Sequence, residues 1–235
     1  MATAELQHRL LGRVTINVRH NSRHVSARWK GGLVSLNVPQ GVRLPDVNRI
    51  LDDLTPRLLA TRPDVRYHDG QELCFPMIDF VVRRQRFAPS RILGTASIPV
   101  SSVEVGSDWD FNLDSTSAAI SDMLCKVARK VAPQLLVPRA KALAERIGRA
   151  PTGWTISTGH RTLGQCSSHG IISLSYILIF LPGHLCDYVI YHELAHLSEM
   201  NHGENFHRLL DGYLDGREDI LAKELHRYTW PVLRK

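Results

Sequence analysis

The chain has 235 residues, of which 43% are hydrophobic, and it carries a net charge of +6, 12 histidines and four cysteines. At this length about 70% of the unfolded chain's surface can be buried, so neither disulfides nor a structural metal are needed for stability. A bound metal would therefore serve chemistry rather than folding.

Three features predict a cytoplasmic protein without a membrane anchor. Residues 1–13 are polar and charged throughout, unlike a secretory signal. The longest apolar run, residues 171–181, is shorter than the roughly 20 residues of a membrane span and ends at Pro182. The four cysteines form no CxxC pair, which is typical of reduced thiols in the cytosol.

The first hundred residues predict a β-rich region. Turn-forming residues at 21–22 and 31–32 separate three segments of alternating polarity and predict an antiparallel meander. A helix is expected over residues 45–54 with Asp46 as its N-cap. The predicted strands cover residues 14–18, 24–29, 33–38, 73–83 and 91–100.

The composition shifts near Asp114 toward helical periodicity. A helix over residues 117–131 is expected to break at Pro133, where a second helix begins and runs to Ile147, with Gly148 as its stop. Further elements are two strands at 154–157 and 171–174, a polar loop at 160–170, and helices at 183–200, 204–214 and 217–228. The fold class is therefore α+β without internal repeats, with a β-rich region at 1–113 and a helical region at 114–235 packed as one unit.

Residues 192–196 read His-Glu-Leu-Ala-His, an HExxH motif inside a predicted helix that is apolar on nearly every side. Imidazoles at positions i and i+4 share one helix face, so His192 and His196 can reach one ion, and neutral imidazole is a good Zn²⁺ ligand. Glu193 would lie beside a metal-bound water and is the candidate catalytic base. Because three such polar residues are costly in a buried helix, the trio predicts a metal site.

A catalytic zinc usually has three protein ligands, and the spacing leaves the third one open. His202 is the leading candidate, provided that the chain turns back at Asn201 or Gly203. A metzincin is disfavoured, because Glu199 stands where metzincins have glycine and no later methionine could form a Met-turn. The competing third ligands are His207, Glu199 and Glu204.

Three residues of the polar loop have open roles. Cys166 is a fourth ligand, a nucleophile or, as we favour, a small buried residue that packs the loop. His160 and His169 are typical of surface histidines, but either could stabilise an oxyanion, and the sequence does not choose between them.

Several segments around the HExxH motif together resemble a known protein family. The run His-Glu-Leu-Ala-His-Leu at 192–197, Asn-His at 201–202 and the flanking residues over 154–213 resemble the YgjP-like metallopeptidase family, which is related to the SprT and Wss zinc proteases. The resemblance is weaker over the N-terminal half, where residues 23–38 have the family's strand-turn-strand character. It implies a zincin-like minimal catalytic domain after a β-rich region, Zn²⁺ held by His192, His196 and His202, and Glu193 as general base.

The sequence departs from the family pattern at three places. The family's Arg-Trp-Gly-Ser-Cys run reads Thr-Leu-Gly-Gln-Cys at 162–166, Ser175 replaces an asparagine, and His207 replaces a tryptophan. None of these changes removes a ligand or the base. They concern the substrate groove, which the loop and strand beside the site would line.

The leading hypothesis is a zinc metallopeptidase acting on a peptide or protein substrate. One alternative is a metal-dependent nucleotide phosphohydrolase, although such enzymes usually hold Mg²⁺ or Mn²⁺ with carboxylates. Another is a DNA- or protein-binding relative with an inactive zinc site.

The positive charge is concentrated in the N-terminal half. Residues 1–100 hold 15 Lys and Arg against 8 Asp and Glu, whereas residues 101–235 hold 14 Lys and Arg against 15 Asp and Glu. The basic N-terminal half could therefore bind nucleic acid, or present an ordinary solvated face. The oligomeric state is not predicted.

Overall fold

The computed structural model describes residues 3–233 except 21, 23, 31, 32, 62–64 and 87. Within this part the chain is α+β, as predicted, with three small sheets and five α-helices. The predicted turns at 21–22 and 31–32 lie largely outside the described residues. No helix among them is both long enough and apolar enough to span a membrane.

The first sheet has the spatial order β1-β2-β4-β3. Its strands are β1 (Thr3–His8), β2 (Gly12–Arg19), β3 (Ser26–Lys30) and β4 (Leu33–Pro39). The predicted meander is wrong, because β2 pairs in parallel with β4 and leaves β3 at the edge. Strands β2 and β4 occupy the centre of the sheet and bury the most apolar side chains, among which are Val14, Ile16, Val34 and Leu36.

Helix α1 (Leu44–Ala60) follows the first sheet and is longer than predicted. Arg43 occupies the N-cap position, and Asp46 lies in the first turn instead. A carboxylate there still interacts favourably with the positive end of the helix dipole.

The second sheet has the order β5-β6-β8-β7. Its strands are β5 (Gln71–Cys74), β6 (Asp79–Gln85), β7 (Ile92–Thr95) and β8 (Val100–Gly106). The two long strands predicted here are each interrupted, the first by a turn that contains Pro76. Residues Ala96 to Pro99 end the second one, since proline cannot donate to a strand ladder.

The first two sheets share one topology. Each consists of a hairpin, a parallel central pair, a second hairpin and a following helix. Buried positions also correspond, since Leu36 and Val38 on β4 occupy the places of Val103 and Val105 on β8. The sequence shows no repeat, so this duplication is visible only in the fold.

Helix α2 (Asp114–Arg146) is continuous, so the predicted break at Pro133 is wrong. Its buried residues occur both before and after Pro133 and Pro138 and form one apolar face of the helix: Ile120, Leu124, Val127, Val131, Leu136, Ala140 and Ala144. This unbroken apolar face offsets the hydrogen bonds that the two prolines remove. The helix ends where predicted, with Gly148 at a φ of 65°.

The third sheet and the remaining helices build the site. The sheet has the order β10-β11-β9, from β9 (Gly153–Ser157), β10 (Gly164–Cys166) and β11 (Ile171–Ser175). Strand β10 lies in the segment that was predicted as a loop. A 3-10 helix (Tyr176–Phe180) leads to α3 (Gly183–Ala195), α4 (Glu204–Tyr213) and α5 (Glu218–Arg227).

The buried apolar side chains form two clusters. One comprises residues between Leu11 and Leu58 of the first sheet and α1. The other extends from Tyr67 to Val232 and joins the second sheet, α2 and the whole site region. The division of the chain at residue 113 stays a prediction.

Candidate metal centre

Helix α3 carries the HExxH motif through the interior. Leu185, Ile190 and Leu194 are fully buried, so the helix is enclosed on most sides, as its sequence predicts. His192 and His196 lie one turn apart, with their ring centroids separated by 5.0 Å. The i, i+4 spacing therefore places both imidazoles together.

The chain folds back after α3 and brings a third imidazole to this pair. The helix ends at Ala195 rather than at Met200, and the Gly203 amide then donates to the Asn201 carbonyl at 2.8 Å. As a result, Nε2 of His202 lies 3.0 Å from Nε2 of His192. One nitrogen from each of His192, His196 and His202 lies within 4.8 Å of the others.

The spacing of these nitrogens fits a metal ion. Two Zn–N bonds of about 2.1 Å at a tetrahedral angle hold their nitrogens about 3.4 Å apart. No other group of three histidine, cysteine or carboxylate side chains with comparable spacing occurs among the described residues. Nδ1 of His196 also faces the Glu199 carbonyl oxygen at 3.0 Å, and by donating to it leaves Nε2 available as the ligand atom.

Phe206 on α4 packs against all three imidazoles. Its ring centroid lies 4.9, 4.6 and 4.7 Å from those of His192, His196 and His202. Phe206 is fully buried, so it forms an apolar wall beside the cluster. Sequence reasoning gave this position no role.

Burial favours the neutral forms of His192 and His196. It lowers the pKa of His192 to about 4, with smaller effects from His196, His202 and His207. Burial also lowers the pKa of His196, partly opposed by the hydrogen bond to the Glu199 carbonyl. A neutral imidazole retains the electron pair that a metal needs.

Glu193 is a buried carboxyl group, only 5% exposed. Burial raises its pKa from 4.5 to about 7. A carboxyl group with this pKa can both accept and return a proton at neutral pH, which is the property of a general acid–base catalyst.

Strand β10 lies directly against Glu193. A Cβ built on Gly164 would lie 2.5 Å from both Cγ and Oε1 of Glu193, closer than real Cβ contacts allow. Only glycine therefore fits here without moving the carboxylate. Sequence reasoning missed this role, although Gly164 is the glycine retained from the family's Arg-Trp-Gly-Ser-Cys run.

The competing third ligands make other contacts. Nδ1 of His207 lies 2.7 Å from the Glu218 carboxylate, and Glu204 pairs with Arg208 at 2.7 Å. Glu199 contacts the cluster through its backbone carbonyl, which accepts a hydrogen bond from Nδ1 of His196, rather than through its side chain. None of the three belongs to the histidine group described above.

The three polar-loop residues are also placed. Cys166 is buried, and burial together with the nearby Glu193 raises the pKa of its thiol, which disfavours a thiolate nucleophile or ligand. Buried His160 contacts Tyr176 and Arg129, whereas His169 is exposed beside Ser168. The oxyanion role of either histidine stays a prediction.

An ion pair fixes α3 against α2. Nε and a terminal nitrogen of Arg139 donate to the two carboxylate oxygens of Asp187 at 2.6 and 2.8 Å. Asp187 lies five residues before His192, so this bidentate pair sets the position of the helix that carries the motif. No local pattern in the sequence pairs these two residues.

The chain is similar to a family of metallopeptidase domains and, at low identity, to a solved structure. A family model described as YgjP-like, metallopeptidase domain matches residues 23–228. A crystal structure titled as the metallopeptidase zymogen of Pyrococcus abyssi abylysin is 19% identical, with a TM-score of 0.31, and the match covers 37% of this chain and 93% of that one. No curated protein matches the sequence.

Proposed function

Since the chain belongs to the YgjP-like metallopeptidase family, we propose that it is a zinc-dependent peptidase that hydrolyses peptide or protein substrates. The observation that carries the proposal is the convergence of His192, His196 and His202 beside a buried Glu193. Three imidazole nitrogen donors match the ligand preference of zinc better than that of Mg²⁺ or Mn²⁺. They also leave a fourth coordination position open.

The protein's own residues have distinct tasks in this proposal. His192, His196 and His202 would hold the ion. When bound, zinc supplies Lewis-acid chemistry, because it polarises a carbonyl and makes water more acidic. Glu193 takes the proton of the attacking water on its carboxylate and returns it to the leaving amine. The raised pKa of Glu193 suits both transfers, and Phe206 excludes water from one side of the histidines.

Substitution of Glu193 tests the catalytic step. Glu193→Gln should lower peptide hydrolysis by about 10²–10⁴-fold, because it removes the base but none of the ligands. Zinc content, measured by inductively coupled plasma mass spectrometry, should stay at one ion per chain. Glu204→Gln is the matched control, since Glu204 is 88% exposed and pairs with Arg208 on the surface of α4. Retained hydrolysis in Glu193→Gln would overturn the proposed role of this residue.

Substitution of His202 tests the third ligand. His202→Ala should lose bound zinc and activity together, whereas His207→Ala should retain zinc. The opposite pattern would assign the third position to His207.

A further inference from the structure

A cationic cleft lies over one face of the third sheet. It has a volume of about 560 Å³, and Gln165 on β10 and its partner Ser173 on β11 form part of its floor. Three cations line it, namely Lys30, Arg129 and Arg161. No carboxylate and no tyrosine, phenylalanine or tryptophan ring is among the lining residues that the structure describes.

The positive charge of this cleft is not neutralised by any salt bridge within the part of the chain that the structure describes. None of the three cations forms a salt bridge with any described residue. Arg129 is half-buried, and its guanidinium stacks on Tyr176 at 4.8 Å and lies 3.5 Å from Nε2 of His160. Its Nε is buried without a hydrogen-bond partner. A half-buried guanidinium that pairs with no carboxylate among the described residues favours an anion nearby.

The cleft adjoins the catalytic carboxylate. Gly164 is one of its lining residues, and the same glycine lies against Glu193. A single backbone residue thus separates the cleft from the proposed general base. A ligand group in the cleft would lie within a few residues of a peptide bond held at the metal centre.

We propose that this cleft binds the acidic side chain of an aspartate or glutamate near the scissile bond, so that the enzyme prefers acidic substrates. The inference rests on the proposed peptidase function and adds a substrate class to it. Lys30, Arg161 and the half-buried Arg129 supply the charge, and neutral hydroxyl and amide side chains supply further donors. No tyrosine, phenylalanine or tryptophan ring lines the described part of the cleft, which disfavours a nucleobase, because bases bind single-strand sites mainly by stacking on such rings.

Paired peptides test the preference. Fluorogenic peptides that differ only by Glu or Gln are scanned through three positions on each side of the cleavage site. For the zinc-loaded enzyme, kcat/KM should favour the Glu peptide by about tenfold at one position, the size of a charge-assisted contact. The double variant Lys30→Gln/Arg161→Gln removes two exposed cations and should bring this ratio near one. Lys141→Gln is the control, because Lys141 is an exposed lysine of α2 outside the cleft, and it should keep the ratio.

A binding measurement separates this inference from the proposed function. Zinc-loaded Glu193→Gln is titrated with the Glu and Gln peptides by calorimetry, with and without the Lys30 and Arg161 substitutions. If no peptide is cleaved by the wild type but the Glu peptide binds more tightly through these cations, the peptidase proposal fails and the cleft assignment stands. Equal binding of both peptides, or a preference that survives the double substitution, overturns the cleft assignment. Tighter, cation-dependent binding of a single-stranded oligonucleotide than of the Glu peptide also overturns it.

Discussion

The position of the Glu193 carboxylate depends on the residue opposite it. Gly164→Ala would place a Cβ 2.5 Å from Oε1 of Glu193, and the carboxylate rather than the strand has the freedom to move. A displacement of about 1 Å in a catalytic group costs roughly 100-fold in rate. We expect kcat to fall by about that factor while KM changes little and zinc stays bound.

The matched control for this change is Gly153→Ala. Gly153 lies in the same sheet, and an added Cβ would make only ordinary contact with Ile171 at 3.8 Å. Both variants are compared by steady-state kinetics and zinc content. Full activity in Gly164→Ala would show that the carboxylate adapts, and that its position does not need the glycine.

Burial of Glu193 also predicts how the stability of the metal-free protein depends on pH. Its pKa in the fold is about 7 against 4.5 for the free side chain. Between these values the unfolded chain loses this proton while the folded protein keeps it. Folding stability therefore falls as pH rises from 4.5 to 7, by about 3 kcal/mol in total.

Glu193→Gln removes this dependence because glutamine does not ionise. In EDTA, we compare the free energy of unfolding of the variant with that of the wild type. The difference in favour of the variant should grow by about 3 kcal/mol from about pH 4.5 to about pH 8. Urea unfolding at both pH values measures the difference. If the difference in unfolding free energy between the two proteins is the same at both pH values, Glu193 is solvated in the metal-free protein.

At the scale of elements, the Arg139–Asp187 pair couples α2 to α3. The side chains are 32% and 25% exposed, so each is partly desolvated and depends on its partner. Asp187→Asn should destabilise the protein by about 2 kcal/mol. A double-mutant cycle with Arg139→Gln, followed by denaturant unfolding, should give a coupling energy above about 1 kcal/mol.

The exposed pair Glu204–Arg208 on α4 is the reference for this cycle. Its side chains are 88% and 69% exposed, and such pairs contribute less than about 0.5 kcal/mol. Equal coupling in the two cycles would contradict a role of Arg139–Asp187 in holding α3.

The elements also show which features the sequence could predict. Helical spacing placed His192 and His196 on one face, and the helix that carries them is buried as its composition indicates. Strand pairing was not predictable in the same way, because β2 and β4 meet across the intervening β3 and the alternation within each strand does not name its neighbour. The end of α3 at Ala195 and the continuity of α2 through Pro133 both depend on tertiary packing, which overrides local propensity.

The site shows the same division between local and distant information. Spacing predicted His192, Glu193 and His196, and it offered His202 as the leading candidate for the third ligand, all within eleven positions. Gly164, Arg139 and the cations of the cleft lie 28 to 162 positions from His192, and no local pattern links them to it. Such contacts are fixed by the fold alone.

Binding of nucleic acid by the basic N-terminal half stays a prediction. Several arginines of this half pair with carboxylates within the described residues, among them Arg13, Arg66 and Arg83.

At the scale of the whole molecule, the two apolar clusters predict two unfolding units. The metal centre belongs to the cluster that extends from Tyr67 to Val232, whereas the cluster between Leu11 and Leu58 contains no metal ligand among its described residues. A ligand stabilises only the unit whose folded form binds it. Saturating zinc should therefore raise the melting temperature of the larger unit and leave that of the smaller one unchanged.

The tryptophans provide separate probes for these two units. Trp29 packs on the smaller cluster and donates to the Leu58 carbonyl at 2.7 Å, while Trp109, Trp154 and Trp230 pack on the larger one. A variant with Trp29 as its sole tryptophan should show a fluorescence transition that zinc does not shift. The Trp29→Phe variant should show one that moves upward with zinc. If both probes report the same zinc-dependent midpoint, the two clusters unfold as one cooperative unit, and zinc then stabilises the N-terminal sheet through its packing on the rest of the chain.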